Sequence, residues 1–467
     1  MIGEVKKEYP YCMTISKSHD KQIQFLGLGL LFCIYLVWQL PNVITLRYFL
    51  LLGLSILFVP TGVRGIYRTL TTEASQPSSK PVFIAYALFI AWLFFIAIGI
   101  AAKPDQSLME IKGQWLPPTL WLLIGYGTAL TYCSRQTSEY LPVRIAFWAL
   151  VAHAVLQLVV AAWTIYQEGS LPPVNFGGIS DHKANVTYTN VLALALLLTE
   201  MAFNSGGVRL LGVGRRIQAI VFGILLISTY VSAARNGVIV FLLLTAIGAM
   251  VIGLRHKRQA PRYWWSILAV CSAVIVLGVW LALKSDSRWE RFIATVPVAW
   301  DIDGNFAWVN TEKYPVPLAA DGQPVDISAY ERIAFAHAAL RFISQHPLGT
   351  EVSRDAFKSL VSTDYVPTEV GHPHNGYLEL GVSVGLPGLA LWATFLGTMI
   401  WLGYKSFQSW KNPAGIALLM VVLGFALRSL LDSIVRDHII QEFMLTCGLL
   451  VGCIEASRVH KGLIASR

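Results

Sequence analysis

Charge is scarce in this chain of 467 residues: Asp, Glu, Lys and Arg make up 13% of it, about half the ~25% of a soluble domain. Cysteine is sparse too. Cys12, Cys33, Cys133, Cys271, Cys447 and Cys453 are the six present. None falls between residues 284 and 376 and no C-x-x-C occurs, which excludes a disulfide framework and a thiolate metal site. Also missing are Gly-x-x-x-x-Gly-Lys, His-Glu-x-x-His and Gly-x-Ser-x-Gly, and with them phosphate-loop, zincin and nucleophile-elbow chemistry. The nearest thing to an acidic cluster outside the helices is Asp301-Ile302-Asp303, beside Gly304 and Asn305, which reads as a solvated turn. No metal and no cofactor are therefore expected. No internal repeat is visible, whereas many secondary transporters are built from two related halves.

What is abundant is apolar sequence: 55% of the chain, with a mean hydropathy of +0.57. It is blocked into about twelve stretches, near 24–40, 43–60, 82–101, 116–133, 145–167, 186–203, 217–234, 237–254, 263–283, 386–404, 413–431 and 438–455. Each approaches the ~20 residues that cross a bilayer as a helix, the form that satisfies its own backbone in lipid. No small-residue cleavage site follows the first stretch, so it is expected to stay as a helix. The expectation is an all-α, polytopic inner-membrane protein. Basic residues set its orientation. Lys6, Lys7, Arg64, Arg68, Arg209, Arg215, Arg216, Arg255, Lys257, Arg258 and Arg458 fall on one side, which places both ends of the chain in the cytoplasm. This asymmetry accounts for the net charge of +9, and no nucleic-acid partner is inferred.

One connection is long. Residues 284–376 form an external segment between nine helices (1–283) and three more with a tail (377–467). Within it, Ser328 to His346 reads as an Ala-rich helix ended by Pro347 and Gly349, and Val352 to Ser362 as a second short one. The stretch from Pro297 to Pro324 reads as irregular. Long loops often carry function, and this one reads as a cap on the outer surface.

Three signals could carry chemistry. His372 and His374 flank Pro373 where the segment re-enters the membrane, ahead of Asn375. A histidine at such a place can act as a neutral base near pH 7, or a pair of them can simply cap the next helix. Arg235, in Ser232-Ala233-Ala234-Arg235, lies between two apolar blocks. An arginine buried in a bilayer costs roughly 2.5–3.5 kcal/mol at the midplane, and its planar fork suits phosphate oxygens; a snorkelling arginine is the plain alternative. The third signal is the set of loop cations Lys284, Arg288, Arg291, Arg332, Arg341, Arg354 and Lys358. Arg332 and Arg341 are nine residues apart and should face opposite ways along a helix.

These motifs together resemble the O-antigen ligase family, with its related O-antigen polymerases and bacterial O-linked oligosaccharyltransferases. Ser232-x-x-Arg235 is similar to the family's Ser-x-x-Arg. Tyr330-Glu331-Arg332-Ile333 leading to Pro347-Leu348-Gly349 is similar to its loop arginine, helix and Pro-Leu-Gly. His374-Asn375-x-Tyr377-Leu378-Glu379 and Gly385-Leu386-Pro387-Gly388 resemble the stretches that follow. Glu351 departs from the pattern, standing where the family commonly has a second Gly. The resemblance implies a GT-C-like fold with its active site facing the periplasm. It also implies metal-independent, inverting transfer of a glycan from an undecaprenyl-pyrophosphate donor to a lipid A–core acceptor, among membrane lipids. Under it, His374 would take the acceptor's proton and Arg235 and Arg332 would hold the pyrophosphate. Arg288, Arg291 and His372 would assist at the substrates, and Asn375 would orient His374. A polymerase would use a second lipid-linked repeat as acceptor, and an oligosaccharyltransferase a protein hydroxyl. A transporter of the same lipid is the rival outside this chemistry. The compact external segment, with no further periplasmic domain, leans towards the ligase.

Overall fold

Pro41 and Asn42 interrupt the first apolar run, and Asn42 takes a left-handed φ of 58°, so the chain reverses at once. The computed structural model describes residues 17–72, 77–133, 140–169, 178–180, 183–203, 209–232, 234–256, 288–368 and 370–465. The hairpin pairs α1 (Lys17–Val37) with α2 (Ile44–Thr71). There follow α3 (Lys80–Gly99) and α4 (Pro104–Glu110), which runs through a π-helical turn at Ile111–Trp115 into α5 (Leu116–Cys133). Then come α6 (Leu141–Glu168), α7 (Lys183–Ala202), α8 (Arg215–Val231) and α9 (Arg235–His256). The cap carries α10 (Arg288–Trp300), a 3₁₀ turn at Phe306–Trp308, α11 (Ile327–Gln345) and α12 (Ala356–Asp364). The chain closes with α13 (Gly376–Trp410), α14 (Pro413–Leu431) and α15 (Asp437–Ala465). Among the described residues the only strand-like pairing is a bridge from Leu318 to Pro324. The protein is an all-α polytopic membrane protein.

Each expected apolar block falls on a helix except 263–283, which lies outside the described residues. Among those residues seven helices are long and apolar enough to span a bilayer: α2, α3, α6, α9, α13, α14 and α15. That measure passes over α1, whose apolar part is Gln22–Val37, and α8, which has 17 residues, on length, and α5 and α7 on composition. α7 buries Thr187, Thr189, Asn190 and Glu200, and α5 opens on Pro117 and Pro118, so both have interior rather than lipid-facing compositions. α15 is the most enclosed span, 94% buried. Its backbone touches that of α5: a Cβ on Gly125 would meet Leu445 O at 2.3 Å, and one on Gly448 would meet Leu122 O at 2.3 Å. Close backbone approach through small residues is how helices associate without a hydrophobic drive in lipid.

Two expectations for the cap change. Arg288–Trp300 is helical through Pro297, where an irregular stretch was expected from that residue on. The helix expected at 386–404 begins ten residues earlier, at Gly376, and is broken at Gly385 (φ 69°, ψ −177°). The break is filled by the cap. The amide of Leu386 donates to Pro347 O at 2.8 Å, and the amides of Thr350 and Glu351 donate to Ser383 O at 3.0 and 3.3 Å. Ser383 Oγ returns a bond to Glu351 O at 2.7 Å. The chain path after Gly349, where Glu351 departs from the family pattern, is therefore fixed by backbone hydrogen bonds. The cap has its own core, in which Trp308, Tyr330, Phe335, Phe342 and Phe357 are buried. Asp326 caps α11 by accepting from Ala329 N at 3.0 Å.

Candidate functional site

The site forms where three helix ends meet. α14 ends at Leu431, and three successive carbonyls there are taken by other elements. Leu430 O accepts from Asn375 Nδ2 at 2.9 Å. Leu431 O accepts from Asn236 Nδ2 at 2.8 Å. Asp432 O accepts from the amide of Gly376 at 3.1 Å. The start of α13, which follows the histidine motif, and the start of α9, which Arg235 opens, are thus fixed to one point. The side chains of Arg235 and Arg288 lie outside the described residues. The break between α8 and α9 falls within the Ser-x-x-Arg stretch, where Ser232 Oγ donates to Ser228 O at 2.8 Å.

His374 is one of three non-glycine residues with positive φ, at 52°, among those described. Such a conformation is uncommon outside glycine, and held strain of this kind clusters at functional sites. Asn375 explains how it is held. Its Oδ1 accepts from the amides of Tyr377 and Leu378, both at 3.0 Å, while its Nδ2 reaches Leu430 O. Asn375 was expected to orient His374; its side-chain amide instead fixes the backbone next to that residue. The His374 ring lies 4.4 Å from that of His372 and stacks at 6.1 Å on Phe335 of α11. Phe335 is three residues from Arg332, so the two share a face of α11. The structure brings together His372, His374, Asn375 and the start of the helix that Arg235 opens, while Arg332 is exposed one turn before Phe335 on α11.

Other expected cations are elsewhere or occupied. Arg341 binds both oxygens of Asp303, at 2.7 and 2.6 Å. Its hydrogen bonds hold the Asp303 carboxyl below the usual carboxylate range. Asp301 accepts from the amide of Gly304 at 3.0 Å. Arg354 pairs with Glu110 at 3.3 Å. Arg291 is exposed on α10, and no contact among the described residues joins it to the histidines.

Three residues absent from the expected site belong beside it. Arg428, near the end of α14, is 1% exposed and pairs with Asp432 at 3.2 Å. It also feels the charge of Arg332. Arg436 Nε donates to Glu379 Oε1 at 2.7 Å, and its Nη2 donates to Arg354 O at 2.8 Å. Arg428 could have been found, since a lone arginine inside an apolar block is a functional signal in itself. The Arg436–Glu379 pair spans 57 positions and leaves no local pattern.

The chemistry open to this arrangement is set by what is already engaged. The first amides of α13 are bonded to Asp432 O and Asn375, and Glu379 N to Asn375 O, so this helix end is not free to hold an anion in the usual way. Residues 220–393 match the protein family described as O-Antigen ligase. No curated protein matches the chain.

Proposed function

Taking residues 220–393 as an O-antigen ligase domain, and the chain as a membrane glycosyltransferase of the ligase and polymerase type, we propose the ligase reaction. The protein moves an undecaprenyl-pyrophosphate-linked polysaccharide onto a lipid A–core sugar at the periplasmic face of the inner membrane. What supports this reading is the positive-φ His374, set against His372 and next to Asn375, which is bonded to the same end of α14 to which Asn236 ties α9.

In this reading His374 takes the proton from the acceptor hydroxyl as its oxygen bonds to the anomeric carbon. The bond from that carbon to the pyrophosphate oxygen breaks, and the electron pair leaves with the pyrophosphate. The anomeric configuration is inverted. Arg332 and Arg235 stabilise the charge that builds on the leaving group. A general base of this kind contributes about 10²–10⁴-fold. The test is a reconstituted assay with purified protein, lipid-linked donor and lipid A–core. Glycan on lipid A–core with release of undecaprenyl pyrophosphate is the expected product. Longer lipid-linked chains in place of that product would make the protein a polymerase.

A further inference from the structure

Arg428 is a cation with an unmet half. It sits one turn before the end of α14, an apolar span, and is 1% exposed. Nη2 reaches Asp432 Oδ2 at 3.2 Å. Nε and Nη1 are buried and have no hydrogen-bond partner among the described residues. Asp432 divides its attention, since its Oδ1 accepts from the amide of Ser433 at 3.1 Å. An unmet buried donor is costly, and more so when it is charged. Arg332 lies within electrostatic reach and adds like-charge repulsion. Replacing a buried ion pair by apolar side chains is often neutral or stabilising, so stability alone does not account for this arginine.

Its place in the fold does. Tyr377 Oη donates to Ala426 O at 3.1 Å and Asn375 Nδ2 to Leu430 O, so Arg428 lies on the turn of α14 that these two residues clasp. The nearby Arg436 and Arg354 are matched by Glu379 and Glu110. Arg428 and Arg332 have Asp432 as the one carboxylate bonded to either among the described residues. The carbonyls of Leu430, Leu431 and Asp432, which would repel an anion at a helix C-terminus, are covered by Asn375, Asn236 and Gly376 N. A buried guanidinium with two unmet donors beside a quenched helix end makes a place for an anion with oxygens in guanidinium geometry.

We propose that Arg428, outside the residues that match the family, is a third phosphate-binding cation of the site. Its Nε–H and Nη1–H are kept for oxygens of the donor's pyrophosphate, and Asp432 holds the guanidinium in place. The assignment rests on the ligase reading above. It is tested by measuring binding of undecaprenyl pyrophosphate to the purified full chain, with phosphatidylglycerol as a second ligand. The wild-type protein is compared with Arg428→Gln and with the double variant Arg428→Gln/Asp432→Asn, which removes both charges of the pair. Both variants should bind undecaprenyl pyrophosphate about tenfold or more weakly, bind phosphatidylglycerol as before, and melt near or above the wild-type temperature. No binding of undecaprenyl pyrophosphate by the wild-type protein would overturn both readings. Wild-type-like binding by a folded variant would overturn the Arg428 assignment alone. So would a loss confined to phosphatidylglycerol, which would give the site to bilayer lipid, or the failure of both variants to fold, which would make Arg428 structural.

Discussion

Asn236 and Asn375, 139 positions apart in the chain, donate to the adjacent carbonyls of Leu431 and Leu430. One helix end thereby registers the helix that Arg235 opens against the helix that His374 precedes. Asn236→Leu keeps the branching at Cγ and loses the donor, leaving Leu431 O without this partner. A misplacement of about 1 Å at a reacting centre can cost ~10²-fold. Transfer by Asn236→Leu should therefore fall by about 10- to 100-fold with only a modest drop in melting temperature. Unchanged turnover would show that the two motifs need no such register.

Gly385 and Gly349 form the second register. A Cβ on Gly385 would lie 2.2 Å from the carbonyl carbon of Leu348, and φ is 69° there. One on Gly349, at φ 92°, would meet Ser383 O at 2.6 Å. Gly385→Ala should cost about 2 kcal/mol or more and loosen the cap. Gly397→Ala, where a Cβ meets nothing within 4 Å, should be neutral or stabilising by up to ~1 kcal/mol. Thermal unfolding of the two variants, with protease cleavage of the cap as a second readout, checks the contrast.

The cap should also respond to acid. Asp303 is held low first by the hydrogen bonds from Arg341. A lowered folded-state value means the pair stabilises above the ordinary carboxylate range, and that this is lost as pH falls through the depressed value. Asp303 is 61% exposed, so the effect is small and screened by salt. Hydrogen exchange across 288–368 should speed up more in acid for the wild-type protein than for Asp303→Asn. Equal acid response in both would remove the pair from the cap's stability.

Orientation follows from the basic residues and needs its own measurement. Gly304 is a poor labelling site, because a Cβ there would lie 2.1 Å from Asp301 Oδ2. Gln323 is exposed and donates only its backbone amide, to Asp321. Gln323→Cys should react with an impermeant thiol reagent in intact spheroplasts. Labelling only after lysis would invert the topology.

Much of this arrangement was legible in the sequence because it rests on local signals. The helix over 327–345 was readable from its Ala-rich run and the Pro347 stop, and the hairpin at Pro41-Asn42 from its breakers. The start of α13 was not, because Gly376 to Gly385 mixes Glu379 and Ser383 with glycines and does not read as a span. Its helical start comes from the Asn375 cap, and its break is stabilised by a segment some 35 residues earlier in sequence. His374 was readable from its motif, but its stacking on Phe335 of α11 is tertiary. Arg428 was passed over because the block around it read as uniform lipid-facing helix.

The claim on which the mechanism turns is that His374 acts on the acceptor's proton and Arg332 on the donor's phosphates. It is tested most directly by measuring donor binding and kcat for His374→Ala beside Arg332→Lys. Arg332→Lys keeps the charge and loses the planar fork, so it should weaken donor binding. His374→Ala should leave donor binding nearly intact while kcat falls by about two to four orders of magnitude, and the wild-type rate should rise with pH along a limb set by an imidazole. A well-folded His374→Ala protein with donor affinity and kcat near wild type would contradict the account.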